Sequence, residues 1–188
     1  MNVQEATTRR LPDLKGRYLP ENCRETINTI LKETYGYEQF RNLEIYDDLS
    51  KGKEKLCISQ GQLIENVILE AEKAWKGETQ VDNILLTAPT GSGKSLLFQL
   101  PAIYLGKEYN LLTIVVSPLK ALIVDQVESL QELGYMRVAY ASSDLSPEQK
   151  MEVYRQVREG EIDLFYLSPE LLLSYDIKHF VGERRIGL

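Results

Sequence analysis

Asn83-Ile84-Leu85-Leu86-Thr87-Ala88-Pro89-Thr90-Gly91-Ser92-Gly93-Lys94-Ser95-Leu96-Leu97 decides the fold. A short apolar run meets a glycine-rich turn, and a lysine then opens a second apolar run. The order reads as strand, phosphate-binding loop and helix. Residues 88–95 fit the phosphate-loop pattern, with Ala88 where the first position is ordinarily glycine. Gly91 and Gly93 allow the backbone to turn its N–H groups toward a polyphosphate with no side chain in the way. A helix starting near Lys94 points its positive end at the same anion. Lys94 is placed to reach the β- and γ-phosphates and Ser95 to help hold Mg²⁺, with Pro89, Thr90 and Ser92 completing the loop. ATP and Mg²⁺ are therefore the expected cofactors. An ordinary glycine-rich turn before a helix is the bland alternative; strand, loop, Lys-Ser pair and helix in one register speak against it.

Downstream, the apolar run continues through Phe98, Leu100, Ala102 and Leu105 and is expected to stop near Gly106, with Pro101 inside the helix. Residues 111–116, Leu-Leu-Thr-Ile-Val-Val, predict a strand covered on both faces, the mark of a parallel sheet. A helix follows with Leu119, Leu122, Ile123, Gln126, Val127 and Leu130 on its inner face. Further strands are predicted over 137–141 and 163–167. Ser146-Pro147-Glu148-Gln149 opens another helix with a capping box. Four alternations of strand and helix imply a doubly wound α/β fold, with helices on both faces of a parallel sheet.

Two of these strands end in Ser-Pro: Ser117-Pro118-Leu119-Lys120 and Ser168-Pro169-Glu170. At the carboxyl edge of a parallel sheet such turns lie beside the phosphate loop, where ligands bind. Hydroxyls and helix starts there suit the phosphates of a nucleic-acid strand. Ser-Pro is also a common start for any helix, so one occurrence alone decides nothing.

Upstream, residues 1–20 read as a loosely attached lead-in and 21–56 as a small helical appendage. One helix runs past Ile27, Ile30, Leu31 and Tyr35 to Gly36; a second is expected over 37–49. The α/β part with the phosphate loop is assigned to 57–188. Within it Ser59 and Gln62 form a capping box ahead of an amphipathic helix carrying Leu63, Ile64, Val67, Ile68, Ala71 and Trp75. Gln60 is left without a structural task. Its amide can donate and accept at once, as reading an adenine edge demands, although a solvated first-turn glutamine reads equally well.

The 22 basic and 28 acidic residues leave a net charge of −6, which argues against coating nucleic acid by bulk charge and permits a local track. Cys23 and Cys57 lack metal or disulfide-framework spacing and are expected to be buried thiols. The single histidine, His179, excludes two-histidine metal motifs and reads as a surface or packing residue. No signal core or membrane-length apolar run occurs, and the expectation is a cytoplasmic protein.

Residues 88–102, 115–127 and 166–172, taken in order, resemble the first motor domain of superfamily 2 helicases, most nearly the RecQ-like group. The resemblance extends from about Gly36 to Leu188. Residues 35–41, Tyr-Gly-Tyr-Glu-Gln-Phe-Arg, are similar to the aromatic and arginine stretch that precedes the adenine-reading glutamine there. In the family that glutamine follows closely; here Glu44 stands in the neighbourhood and Gln60 arrives after an insertion, with Gln62 as the fallback. The resemblance implies a RecA-like fold and an ATP-driven motor on nucleic acid, with DNA as substrate. It implies adenine contact by Gln60, strand contact by Ser117, Pro118, Leu119, Lys120 and Gln126, and a second contact by Ser168, Pro169 and Glu170. Leu171 stands where an arginine is common in the group. The family's acidic motif follows the next strand, which would begin at about residues 184–188, so a part of the first motor domain is expected. A second motor domain is the expected partner. A nucleotide- or strand-binding module that does not hydrolyse ATP is the competing class; a small-molecule kinase fits less well, since no arginine-rich lid is evident.

Overall fold

The computed structural model describes residues 23–46, 55–87 and 90–188. In chain order the elements are α1 (Glu25–Tyr35), β1 (Asn42–Tyr46), β2 (Lys55–Ser59), α2 (Gln60–Trp75), α3 (Leu96–Tyr109), β3 (Thr113–Val116), α4 (Lys120–Glu132), β4 (Val138–Ala141), α5 (Pro147–Arg158), β5 (Leu164–Leu167), α6 (Pro169–Ser174) and α7 (Ile177–Val181). The parallel sheet runs β3-β5-β4, with Val115 and Tyr140 both opposite Tyr166. The order places β5, last in sequence, at the centre. On the other edge of β3, Leu112 bridges Ile186 in parallel, and the Ile114 amide donates to the Leu188 carbonyl at 2.9 Å.

Successive side chains of a strand face opposite ways, and β5 divides the interior accordingly. Leu164 and Tyr166 enter one core with Ile27, Ile30 and Leu31 of α1, Ile64 and Ile68 of α2, most of α3, and Ile123, Val127 and Leu130 of α4. Phe165 and Leu167 enter a second core with Tyr154 and Val157 of α5, Leu171 of α6 and Phe180 and Val181 of α7. Each fully buried aromatic or branched side chain contributes about 1.5–3 kcal/mol. Four helices on one face and three on the other give the expected RecA-like α/β layering. Because α3 is apolar nearly all round, it can bury almost its whole length, and it does.

Several expectations need correction. The segment predicted as a helix over 37–49 contains β1, which pairs antiparallel with β2 from Asn42↔Ser59 to Tyr46↔Lys55. The period there is two: Leu43 is half-buried between exposed Asn42 and Glu44, and Ile58 is buried beside exposed Cys57. The region 21–56 is thus helix plus hairpin, and α1 packs into the main core; its residues 21–22 and 47–54, like the lead-in over 1–20, lie outside the described residues. Residues 83–87 form no strand. A strand needs a neighbour for its amides and carbonyls, and this run has none among the described residues, leaving Leu85 83% exposed.

Gly106 does not end α3. The helix runs to Tyr109 and is capped by Asn110 at φ 52°, while Gly106 sits buried where a Cβ would come within 3.0 Å of the Asp163 carboxyl. Leu119 and Leu122, expected on the inner face of α4, are exposed, because Ile123, Val127 and Leu130 alone form its buried stripe. Cys57 is exposed and Cys23 half-buried, both as free thiols. Gly36 at φ 69° caps α1 as its sequence predicts. Exposed His179 stacks on Tyr175 at 4.7 Å. Among the described residues no helix is long and apolar enough to cross a membrane.

Candidate nucleotide site and nucleic-acid edge

The loop before α3 requires glycine at two places. Gly91 and Gly93 take φ of 80° and 77°, left-handed conformations that L side chains rarely adopt. A Cβ on Gly91 would meet nothing within 4 Å, whereas on Gly93 it would lie 2.5 Å from Gln60 Nε2. The turn passes into the helix by tight bonds, Leu96 N–H to the Gly93 carbonyl at 3.2 Å and Leu97 N–H to the Lys94 carbonyl at 3.0 Å. Thr90, Gly91 and Lys94 are exposed; Ser92, Gly93 and Ser95 are half-buried. The Ser92 hydroxyl is buried without a hydrogen-bond partner. An orphaned donor in an open, glycine-built turn at a helix start fits a polyphosphate, so the residues present suit ATP. Pro89 lies outside the described residues.

Gln60 is 2% exposed and is held against this loop. Its Nε2 donates to the carbonyls of Ser92 at 3.2 Å and Gly93 at 3.4 Å, and its Oε1 accepts from the Arg41 amide at 3.2 Å. The Gln60 amide in turn donates to the Arg41 carbonyl at 2.9 Å. The 18 residues between Arg41 and Gln60 leave and return through the β1–β2 pairing, whose Asn42↔Ser59 end holds the two together. The insertion thereby restores the nearness of arginine and glutamine that the sequence had broken. Gln62 is committed elsewhere: its Oε1 accepts from the Ser59 amide at 3.0 Å in the expected capping box. Gly61 is required here too, since a Cβ would lie 2.6 Å from Phe40 Cδ2.

A cleft of about 810 Å³ opens beside the loop. Lys94 and Ser95 line it together with Ser117 and Gln126, facing an apolar wall that includes Leu85, Leu86 and Phe98. The loop and the first strand-end motif therefore share one space. Around it the strand ends converge: the Ser117 amide donates to the Leu167 carbonyl at 3.1 Å, and the Ser168 amide to the Ala141 carbonyl at 3.4 Å. Pro118, Leu119, Lys120 and Glu170 are exposed, Pro169 half-buried and Ser168 buried. Leu171 is buried in the second core, so it offers no surface contact.

Lys120 is not presented alone. Its Nζ pairs with Asp144 at 2.8 Å and Ser143 Oγ at 2.6 Å, both just past the end of β4. Lys120 holds the Asp144 carboxyl below the usual range. Glu170 is held low chiefly by its own backbone amide. The edge carries both signs of charge. Among the described residues no cluster of three or more His, Cys, Asp or Glu could hold a metal.

Sequence reasoning missed Gln99. It is the polar residue in the buried run of α3 from Leu96 to Gly106, and that oddity was the available signal. Its Nε2 donates to Gln126 Oε1 at 3.0 Å and to the Tyr166 hydroxyl at 3.2 Å, and its Oε1 accepts from the Tyr35 hydroxyl at 3.3 Å. It also missed the partners of Lys120 in the 143–144 turn, which no spacing in the sequence foretells.

A profile of the DEAD/DEAH box helicase family matches residues 62–185. The chain is 32% identical over 165 residues to the "ATP-dependent DNA helicase RecQ" of Synechocystis, covering 88% of this chain and 28% of the relative. Its likeness to the protein of the same name from Bacillus subtilis is 32% over 148 residues, covering 79% and 20%. The "ATP-dependent DNA helicase Q4" of Mus musculus is 39% identical over 90 residues, covering 48% and 7%. The chain thus spans little more than a quarter of the length of the Synechocystis relative. With its phosphate loop, its RecA-like sheet and a family match over residues 62–185, this chain belongs to the DEAD/DEAH box helicases, among the RecQ-like members.

Proposed function

We propose that this chain is the nucleotide-binding part of an ATP-dependent DNA helicase or translocase. The cleft shared by Lys94 and Ser95 with Ser117 and Gln126 carries the reading. It would let one movement of the loop reach both nucleotide and strand. Relatives described as ATP-dependent DNA helicases favour DNA as the strand. Bound Mg-ATP would supply the polyphosphate whose terminal bond is broken.

The chain's own contributions are positional and electrostatic. Gly91 and Gly93 turn the loop amides outward, α3 adds the positive end of its dipole, Lys94 offsets phosphate charge, and Ser95 offers a hydroxyl to Mg²⁺. Gln60 fixes the loop through Ser92 and Gly93 and is the adenine-side residue; release of its contact with the Arg41 amide would free an acceptor for a base edge. Ser117, Pro118, Leu119, Lys120 and Gln126, with Ser168, Pro169 and Glu170, form the edge that meets single-stranded or partly duplex DNA. A second motor domain is the partner that completes the machine.

A second reading concerns these 188 residues alone: a module that binds nucleotide or a nucleic-acid strand and does not hydrolyse ATP. Glu70, which lines the cleft with Asp82, is already engaged by Lys73 at 2.7 Å and the Asp82 amide at 2.9 Å. Titration with a fluorescent ATP analogue tests the main reading. Lys94→Ala is expected to weaken binding by tenfold or more, about 1.4 kcal/mol, and equal affinity in the two proteins would sink it. DNA-stimulated turnover that Lys94→Ala abolishes would remove the non-hydrolysing reading and leave the motor reading standing.

A further inference from the structure

We infer that Gln99 is a positioning residue that couples nucleotide binding at the loop to strand binding at the sheet edge. The inference rests on the nucleotide and strand reading above. Gln99 lies four residues past Ser95 on α3, so it moves with the phosphate loop. Its single amide, 5% exposed, ties that helix to α4 through Gln126 and to β5 through Tyr166. These are the two elements that carry the proposed strand contacts: α4 bears Lys120 and Gln126, and β5 leads directly into Ser168, Pro169 and Glu170.

The chemistry of the junction favours transmission. A primary amide has two N–H donors, and here one goes to each partner, so a shift of α3 displaces both together or breaks a bond. Burial pushes the Tyr166 phenol up to about 12, which keeps its hydroxyl intact at neutral pH. A buried polar group stripped of its partner is costly, so the junction favours keeping its three elements in register over letting one slide. The Tyr35 hydroxyl meets the other end of the same amide from α1, an element that carries none of the proposed strand contacts.

The test is fluorescence anisotropy of a labelled oligothymidylate with and without Mg-ATPγS, alongside titration of the nucleotide analogue and thermal melts. In the wild-type chain the nucleotide is expected to change oligonucleotide affinity by about fivefold or more, the usual range of coupling between sites. Gln99→Leu is expected to bring that ratio to within about twofold while nucleotide-free oligonucleotide binding holds. Tyr166→Phe lowers the ratio by breaking one of the two links, and Tyr35→Phe leaves it unchanged. A merely structural amide would make the two phenylalanine variants act alike, which would overturn the assignment. So would an unchanged ratio in a folded Gln99→Leu chain or, should that variant not fold, in Tyr166→Phe. Wild-type protein that binds both ligands without coupling them refutes Gln99's role alone. Wild-type protein that binds neither refutes the functional reading and this inference with it.

Discussion

Adding one methyl group at Gly106 should cost more than its size suggests. In a helix interior alanine is favoured over glycine by about 1 kcal/mol, so Gly106→Ala would ordinarily stabilise. Here the new Cβ would fall within 3.0 Å of the Asp163 carboxyl, which is fully buried and cannot swing away. Asp163 accepts from Arg137 Nε at 2.6 Å, from Arg184 Nη2 at 2.9 Å and from the Tyr135 hydroxyl at 3.1 Å. Displacing it strands buried charge, a loss of roughly 3–5 kcal/mol that outweighs the propensity gain. Chemical denaturation of Gly106→Ala should therefore show a net loss of about 2 kcal/mol or more; a stabilised variant would refute the packing account. Nothing local in the sequence distinguishes this glycine from a helix stop, because its partner lies 57 residues away. Gly91 and Gly93 were legible for the opposite reason, since their task is set by their neighbours.

Helix starts show which elements a sequence announces. Ser146 Oγ accepts from the Gln149 amide at 3.2 Å, and Gln149 Oε1 accepts from the Ser146 amide at 2.9 Å, closing the box read from four consecutive residues. Ser146→Ala should lower stability by about 1 kcal/mol and the melting temperature by about 2–4 °C, with Ser146→Asp largely restoring both. A thermal melt that does not move would show that α5 is held by Tyr154 and Val157 packing alone. Capping is local and hence legible, as at Ser59 and Gln62. The β1–β2 hairpin was not, because alternation over five residues is short and the helical reading of 37–49 had no tertiary information to oppose it. Residues 83–87 failed in the opposite sense: their apolar β-like composition was read correctly as a type, but a strand exists only beside another strand. For the candidate site, the loop residues were legible as a pattern, while the place of Gln60 against the loop depended on how the hairpin folds.

At the scale of the whole molecule, the helical N-terminal segment is clamped to the core by charge as well as by apolar burial. Arg24, at the start of α1, donates from Nε to Glu65 at 2.7 Å and from Nη1 to Glu72 at 2.6 Å, both on α2. Tyr109 at the end of α3 donates to the same Glu72 oxygen at 2.9 Å, and Tyr104 does so at 3.2 Å. The guanidinium also lies 4.9 Å over the Tyr104 ring. Burial pushes the Glu72 carboxyl up, but hydrogen bonds from Arg24 and Tyr109 and the Arg24 charge outweigh it, and the net displacement is downward. A carboxyl whose folded value lies below its unfolded one adds stability that is fully present above the ordinary value of 4.5 and is lost as pH falls through the folded value. The clamp should therefore weaken only on the acid side, and α1 should loosen there with Ile27, Ile30 and Leu31. Glu72→Gln removes the titration and the charge-assisted bonds together, for a loss of about 1.5–3 kcal/mol at neutral pH. Urea unfolding from pH 7 down to pH 3 should show the wild-type advantage over Glu72→Gln shrinking steadily below about pH 4.5. An advantage that stays constant across that range would mean that Glu72 acts through packing and not through its charge.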